Sequence, residues 1–300
     1  MAGLDNLMLH LIKALAENRI QDAKDAAIAC CVNDRTKKNE HQVQYYKKLL
    51  ENGSTKMFEL PANLKGLLNM IDISDFNEDR YYLGKQQTEL FLKIQKGVEI
   101  TTKLLEYGIP YTNSTLINGE PGTGKTEFAK YTAYKLGLPY AYINFSYIID
   151  SYIGNTAKNI QRIFDYCKGQ KCVLMLDEID CIGLARSNDT GADGELARTT
   201  ISLMQALDQL VDGQIVIAAT NRSDRLDKAL IRRFQNYVEF DRYNEPETEE
   251  MIRTYINSVN PKFMSDDLMK YAKTQPTQAD IIKYLIEHIA NRICADEDFL

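Results

Sequence analysis

Three hundred residues, 44% hydrophobic and 26% charged, have the composition of an ordinary soluble globular protein with one main domain and appendages. A net charge of −6 speaks against a chain that coats nucleic acid. No apolar run is long enough to span a bilayer, Met1–Ile20 does not read as a signal peptide, and the six cysteines and three histidines are too scattered for a disulfide framework or a zinc site. The expected compartment is the cytoplasm, with no membrane partner.

Leu4 to about Asn52 has a helical pattern. Leu7, Leu11, Ile12, Leu15 and Ile20 mark one amphipathic helix. Ala23–Val32 is a second helical run and Val43–Leu50 a third, after the polar stretch Asn33–Glu40. Residues 1–55 thus read as a small helical segment, with neither strong charge nor an aromatic anchor. Residues 56–75 read as a connection. Gln86–Tyr107 is another helix, closed by Gly108. Five apolar strands follow: Thr115–Asn118, Tyr140–Phe145, Val173–Leu176, Ile215–Ala219 and Tyr237–Phe240. Helices follow the first four, which predicts a parallel sheet covered on both faces over residues 76–241. From Pro246 the pattern is helical only: Glu247–Val259, Asp266–Ala272 and Gln278–Ala295. Residues 242–300 read as a small helical lid. The expected fold is α/β, a parallel sheet sandwiched by helices, with the lid behind it and the helical segment before it.

The stretch Gly119, Glu120, Pro121, Gly122, Thr123, Gly124, Lys125, Thr126 fits the phosphate-loop pattern G-x-x-x-x-G-K-[ST]. Its glycines let backbone N–H groups turn inward on a phosphate chain, and the following helix adds its positive N-terminal dipole. Lys125 can neutralise the β- and γ-phosphates, and the Thr126 hydroxyl can join a Mg²⁺ shell. Val173–Leu176 leads into Asp177 and Glu178, an apolar strand ending in two carboxylates. In that setting Asp177 completes the metal site and Glu178 orients the attacking water; the bland alternative is a helix-capping pair. Ile215–Ala219 ends in Thr220 and Asn221, and is expected to lie between the other two motif strands, with Asn221 reaching the γ-phosphate. Its alternative is a simple turn. Arg232 and Arg233 precede Phe234. They are either a salt-bridged helix end or, in a ring, arginine fingers for a neighbour's nucleotide.

In order and spacing these motifs resemble the AAA ATPase family over roughly Asp75 to Ala295. The Arg-Arg-Phe form is similar to katanin and spastin, and the Ile-Gly after Glu178 and the helical N-terminal segment to small bacterial AAA proteins that accompany subtilisin-like proteases. The resemblance implies Mg-ATP as ligand, a homo-hexamer with sites between subunits, and a protein substrate. Asn221 then matches sensor 1, Arg232 and Arg233 the finger pair, and Tyr152, Ile153 and Gly154 the pore loop that grips a polypeptide. A tyrosine packed on its own subunit is the competing reading of Tyr152. Gln278-Ala279-Asp280 stands where related members usually have Gly-Ala-Asp, and Leu83-Gly84 where the family often cradles adenine. The polar loop Ser187–Asp193 falls near the family's second pore loop, and Glu195 and Arg198 are either interface residues or a surface pair.

Three functions compete. The preferred one is an ATP-hydrolysing ring motor that remodels or unfolds a threaded protein. A nucleic-acid regulator needs a basic pore, and Asp150, Asn155 and Lys158 around Tyr152 do not make one, so nucleic acid is not the expected partner. An ATP-gated adaptor would dock a partner, such as a protease, through the N-terminal helices, which equally fit a structural cap.

Overall fold

The apolar stretches join one six-stranded sheet in a computed structural model that describes residues 4–17, 19–34, 39–52, 60–109, 111–146, 148, 155–168, 171–182, 192–210 and 214–295. The strands are β1 (Asn69–Ile71), β2 (Asn113–Gly119), β3 (Tyr140–Asn144), β4 (Val173–Asp177), β5 (Ile215–Thr220) and β6 (Asn236–Phe240). Their order across the sheet is β1-β3-β4-β5-β2-β6, with β1 antiparallel at one edge and the other pairings parallel. Strand β5 lies between β2 and β4, as expected. Strand β1 falls in the stretch read as a connection. Three residues between Leu68 and Asp72, the first of them polar, carry too little alternation to announce a strand, and pairing with β3 supplies what local pattern does not.

Period-two alternation divides the core. Leu174 and Leu176 of β4, with Val216 and Ala218 of β5, face one layer; Val173, Met175, Ile215 and Ile217 face the other. Among the described residues there are eleven α-helices. They are α1 (Asn6–Ala16), α2 (Ile20–Asn33), α3 (Glu40–Asn52), α4 (Lys85–Glu106), α5 (Lys125–Leu136), α6 (Thr156–Cys167), α7 (Ala192–Asp208), α8 (Lys228–Ile231), α9 (Glu245–Val259), α10 (Asp266–Ala272) and α11 (Gln278–Ala295). Ile160, Ile163 and Phe164 of α6 and Leu203 and Leu207 of α7 cover the first layer. Leu90 and Ile94 of α4 and Phe128, Ala133 and Tyr134 of α5 cover the second. Both faces of the central strands β4 and β5 are thus dry, which their unbroken apolar runs require, whereas β6 exposes Tyr237 and Glu239. After β5 the expected helix shrinks to a 3₁₀ turn, Ser223–Arg225, and the four-residue α8.

Helices α9–α11 pack on one another through Ile252, Ile256, Leu268, Ile281 and Leu285, a core separate from the sheet's. Asn244 and Glu247 form a reciprocal capping box that starts α9, and Ser265 caps α10. At the N-terminus, α1 ends at Ala16 and Ile20 opens α2, so Ile20 does not continue the first helix as its spacing suggested. The segment does have an aromatic anchor. Tyr45 of α3 stacks on Tyr134 of α5 with ring centroids 5.3 Å apart, and the Tyr134 hydroxyl donates to the His41 carbonyl at 3.1 Å. No helix among the described residues is long and apolar enough to cross a membrane.

Candidate active site

Three parallel strands, β2, β4 and β5, release their chains at the same edge of the sheet, the usual ligand crevice of such folds. After β2 the chain turns through Gly122 and Gly124 and enters α5. Gly124 sits at φ +86°, a left-handed conformation that costs a side chain dearly. Gly122, at φ +83°, also lets Thr277 approach, since a Cβ there would lie 2.6 Å from the Thr277 Oγ1. Thr123 closes the loop by donating its hydroxyl to the Glu120 carbonyl at 2.9 Å. Arg242 donates to the Glu120 carboxylate at 2.6 and 2.8 Å on the exposed rim.

Lys125 is 8% exposed. Its ammonium donates to the carbonyls of Gly119 and Glu120, at 2.7 and 2.9 Å, and to Asn221 Oδ1 at 2.7 Å. Burial pulls its pKa below the ordinary lysine value, partly offset by Asp177 and Asp180. Thr126 Oγ1 donates to Asp177 Oδ2 at 3.1 Å, and the Tyr142 hydroxyl donates to the same oxygen at 3.1 Å. Burial pushes the Tyr142 hydroxyl up to about 12, so at neutral pH it keeps the proton it donates. Glu178 has a left-handed backbone, φ 57° and ψ 43°, unusual for a residue with a side chain. Its carboxylate accepts from the Ser146 hydroxyl at 2.6 Å, and Ser146 Oγ also lies 2.9 Å from Cys181 Sγ. Thr220 Oγ1 donates to Asp180 at 2.8 Å, tying the end of β5 to the turn after β4.

These groups line one end of a cavity of about 650 Å³, a size suited to a small-molecule ligand. Pro121, Gly122, Thr123, Gly124, Lys125, Thr126, Asp177, Glu178 and Asn221 all contribute to its wall. So do Tyr81, Tyr82, Tyr243, Met251, Tyr255, Gln278 and Ile282. The tyrosines had no signal in the sequence because they come from three separated segments. Leu83-Gly84 stands beside the wall instead of in it: a Cβ on Gly84 would lie 2.7 Å from the Tyr243 ring. Tyr142 and Ser146 also went unread, although Tyr142 lies on the strand paired with β4.

Arg232 and Arg233 do not line the cavity. Arg232 is exposed, and its guanidinium has no hydrogen-bond or ion-pair partner among the described residues. Arg233 Nε lies 3.0 Å from both carboxylate oxygens of Asp208, and its Nη1 donates to the Ala229 carbonyl at 2.9 Å. Tyr152, Ile153 and Gly154 lie outside the described residues, as do residues 187–191 of the polar loop and the Glu195 side chain; Arg198 is exposed.

A glycine loop wound around a buried lysine, with a hydroxyl and a carboxylate beside it, is the site of a P-loop nucleoside triphosphatase. A model of the ATPase family associated with various cellular activities (AAA) matches residues 115–242. An uncharacterised AAA family ATPase, y4kL, of Sinorhizobium fredii is 31% identical over 243 residues, covering 77% of this chain and 73% of the relative. The 26S proteasome subunit RPT4 of Saccharomyces cerevisiae is 36% identical over 182 residues, covering 57% of this chain and 42% of its own. The 26S proteasome regulatory subunit 10B of Dictyostelium discoideum is 34% identical over 183 residues, covering 59% and 47%. The chain therefore spans about half the length of these proteasome subunits. The chain belongs to the AAA family, and it is an ATPase.

Proposed function

We propose that this ATPase is a ring motor that remodels or unfolds a threaded protein. One observation carries the reading. The groups suited to holding and hydrolysing a triphosphate share one cavity, whereas the two arginines suited to the transition state stand outside it. A second copy placed against the cavity would supply them, and a closed ring repeats that contact.

In this reading Gly119 to Thr126 wrap the phosphates, with backbone N–H groups and Lys125 meeting their charge. Lys125 exchanges its loop carbonyls for phosphate oxygens, and Asn221, now bonded to Lys125, is placed to meet the γ-phosphate and the water. Thr126 and Asp177 fit Mg²⁺: a neutral hydroxyl and a carboxylate 3.1 Å apart offer two hard oxygens, leaving the other positions to phosphate and water. The ion, when bound, neutralises charge on the β- and γ-phosphates. Glu178 accepts a proton from the attacking water once it leaves Ser146, and Arg232 and Arg233 of a neighbour stabilise charge on the transferring phosphoryl group. Residues 76–241 act as the nucleotide-binding body, residues 242–300 as the lid and residues 56–75 as the connection. Residues 1–55 act as a cap that the Tyr45–Tyr134 stack favours over a free docking arm. Tyr152, Ile153 and Gly154 grip the substrate.

The relatives named as proteasome subunits favour a protein substrate and, as a finer proposal, a partner protease. Likeness to katanin and spastin rests on Arg232, Arg233 and Phe234 and is also a finer proposal. A cytoplasmic setting agrees with six cysteines that form no disulfide. The test is mass photometry of Glu178→Gln with ATP, beside substrate-stimulated turnover of Tyr152→Ala. A trapped six-fold ring, and loss of stimulation with basal hydrolysis kept, support the motor. A monomer under ATP rules it out.

A further inference from the structure

Tyr142 takes no part in the chemistry proposed above, and it does not line the cavity. Its hydroxyl nevertheless donates to Asp177 Oδ2 at 3.1 Å, the oxygen that also accepts from Thr126 Oγ1 at 3.1 Å. The other oxygen, Oδ1, accepts from the Glu178 N–H at 3.0 Å. A carboxylate offers about four lone-pair directions over its two oxygens, so donors of this chain meet most of them and grip the group at both ends.

The sheet sets the reach of this contact. Tyr142 of β3 stands opposite Met175 of β4, and Asp177 lies two residues further along the same face. Two residues of rise and one strand spacing put positions 142 and 177 about 8 Å apart. A phenol spans that diagonal, and a serine or threonine does not. The ring is partly buried in the apolar layer covered by α4 and α5, and it lies beside Tyr140 with centroids 6.5 Å apart. Packing therefore fixes the ring, and the ring fixes the hydroxyl.

We infer that Tyr142 is a positioning residue for the metal site: its hydroxyl holds the Asp177 carboxylate in the orientation that, beside Thr126, receives Mg²⁺. The inference rests on the assignment of that ion to Thr126 and Asp177. Thr126 is itself a proposed ligand, so it cannot serve as a fixed support. Tyr142 stands behind the carboxylate and can keep its bond with the ion present or absent. An untethered carboxylate is drawn toward the Lys125 ammonium, with which it already interacts, and its oxygen is lost to the ion.

Tyr142→Phe removes the hydroxyl and keeps the ring, which makes it the variant of choice. The probe is Mn²⁺, which takes the same hard oxygen ligands as Mg²⁺ and whose free form is counted by electron paramagnetic resonance. It is titrated into protein held in excess over an ATP analogue with a non-hydrolysable β–γ bridge. Tyr142→Phe is expected to bind Mn²⁺ about tenfold more weakly than the unsubstituted chain. Its affinity for the analogue in EDTA should stay within about twofold. In an Asp177→Asn background the same change should have less than about twofold effect on Mn²⁺, because Tyr142 acts only through that carboxylate. If Tyr142→Phe binds Mn²⁺ as tightly as the unsubstituted chain while Asp177→Asn binds it weakly, the inference is wrong and the metal assignment stands. The inference is also wrong if the loss persists in the Asp177→Asn background or extends to the analogue in EDTA, since either marks a general change in the sheet. If Asp177→Asn itself leaves Mn²⁺ binding unchanged, the metal assignment fails and takes the inference with it.

Discussion

The phosphate end of the cavity and the Arg232–Arg233 corner both present cations, but they hold them in opposite ways. Lys125 is buried and spends all three donors on oxygens of its own chain, two of them loop carbonyls that a phosphate can replace. Arg232 is exposed, its guanidinium without a partner among the described residues, and Arg233 is held by Asp208 and Ala229, away from the cavity wall. A cation that binds the ground state can be kept inside one chain at small reorganisation cost. A cation needed only as charge develops can arrive from outside, and its arrival can then be coupled to movement between copies. Under the proposed function, this difference makes binding and turnover separable by residue.

That separation can be broken or sharpened by substitution. Arg232→Ala and Arg233→Ala should each lower phosphate release by about a thousandfold while leaving ATP affinity within about twofold; a parallel loss of affinity in a titration would put the arginines back in their own chain's site. Lys125→Ala should weaken ATP binding by about a hundredfold and flatten its dependence on salt, because the main charge facing the phosphates is gone. At the other end of the cavity, Tyr82→Ala removes an aromatic ring packed edge-on against Tyr243, at 5.4 Å between centroids. It should cost about tenfold in affinity with the salt dependence unchanged. Ser146→Ala should have the smallest effect. It frees the Glu178 carboxylate and should raise basal turnover about two- to threefold without moving ATP affinity, as steady-state assays would record.

Legibility follows the same division. The phosphate loop, Asp177, Glu178 and the position of β5 were readable because each motif is contiguous and sits at the end of a strand with a clear apolar run. The tyrosine-lined wall was not. Tyr81 and Tyr82 follow a 3₁₀ turn, Tyr243 precedes a capping box and Tyr255 lies within a helix, so only the folded chain brings them together. Leu83-Gly84, expected there, follows Tyr82 in the chain but does not line the cavity. Tyr45 carries no sign of an anchor in the sequence because its partner, Tyr134, is far along the chain. Strand β1 failed to register for a different reason: an edge strand of three residues is made by its neighbour more than by its own propensity.

The most direct test of the central claim mixes two inactive proteins. Glu178→Gln keeps the arginines and loses the carboxylate proposed to activate water; Arg232→Ala/Arg233→Ala does the reverse. Equal amounts are combined, allowed to exchange subunits, and assayed for ATP turnover. If arginines act on a neighbour's nucleotide, random mixing pairs an intact Glu178 with intact arginines at about a quarter of the interfaces, and turnover should return toward that fraction of the unsubstituted rate. If each chain works alone, the mixture stays as inactive as its components, and the ring motor is contradicted.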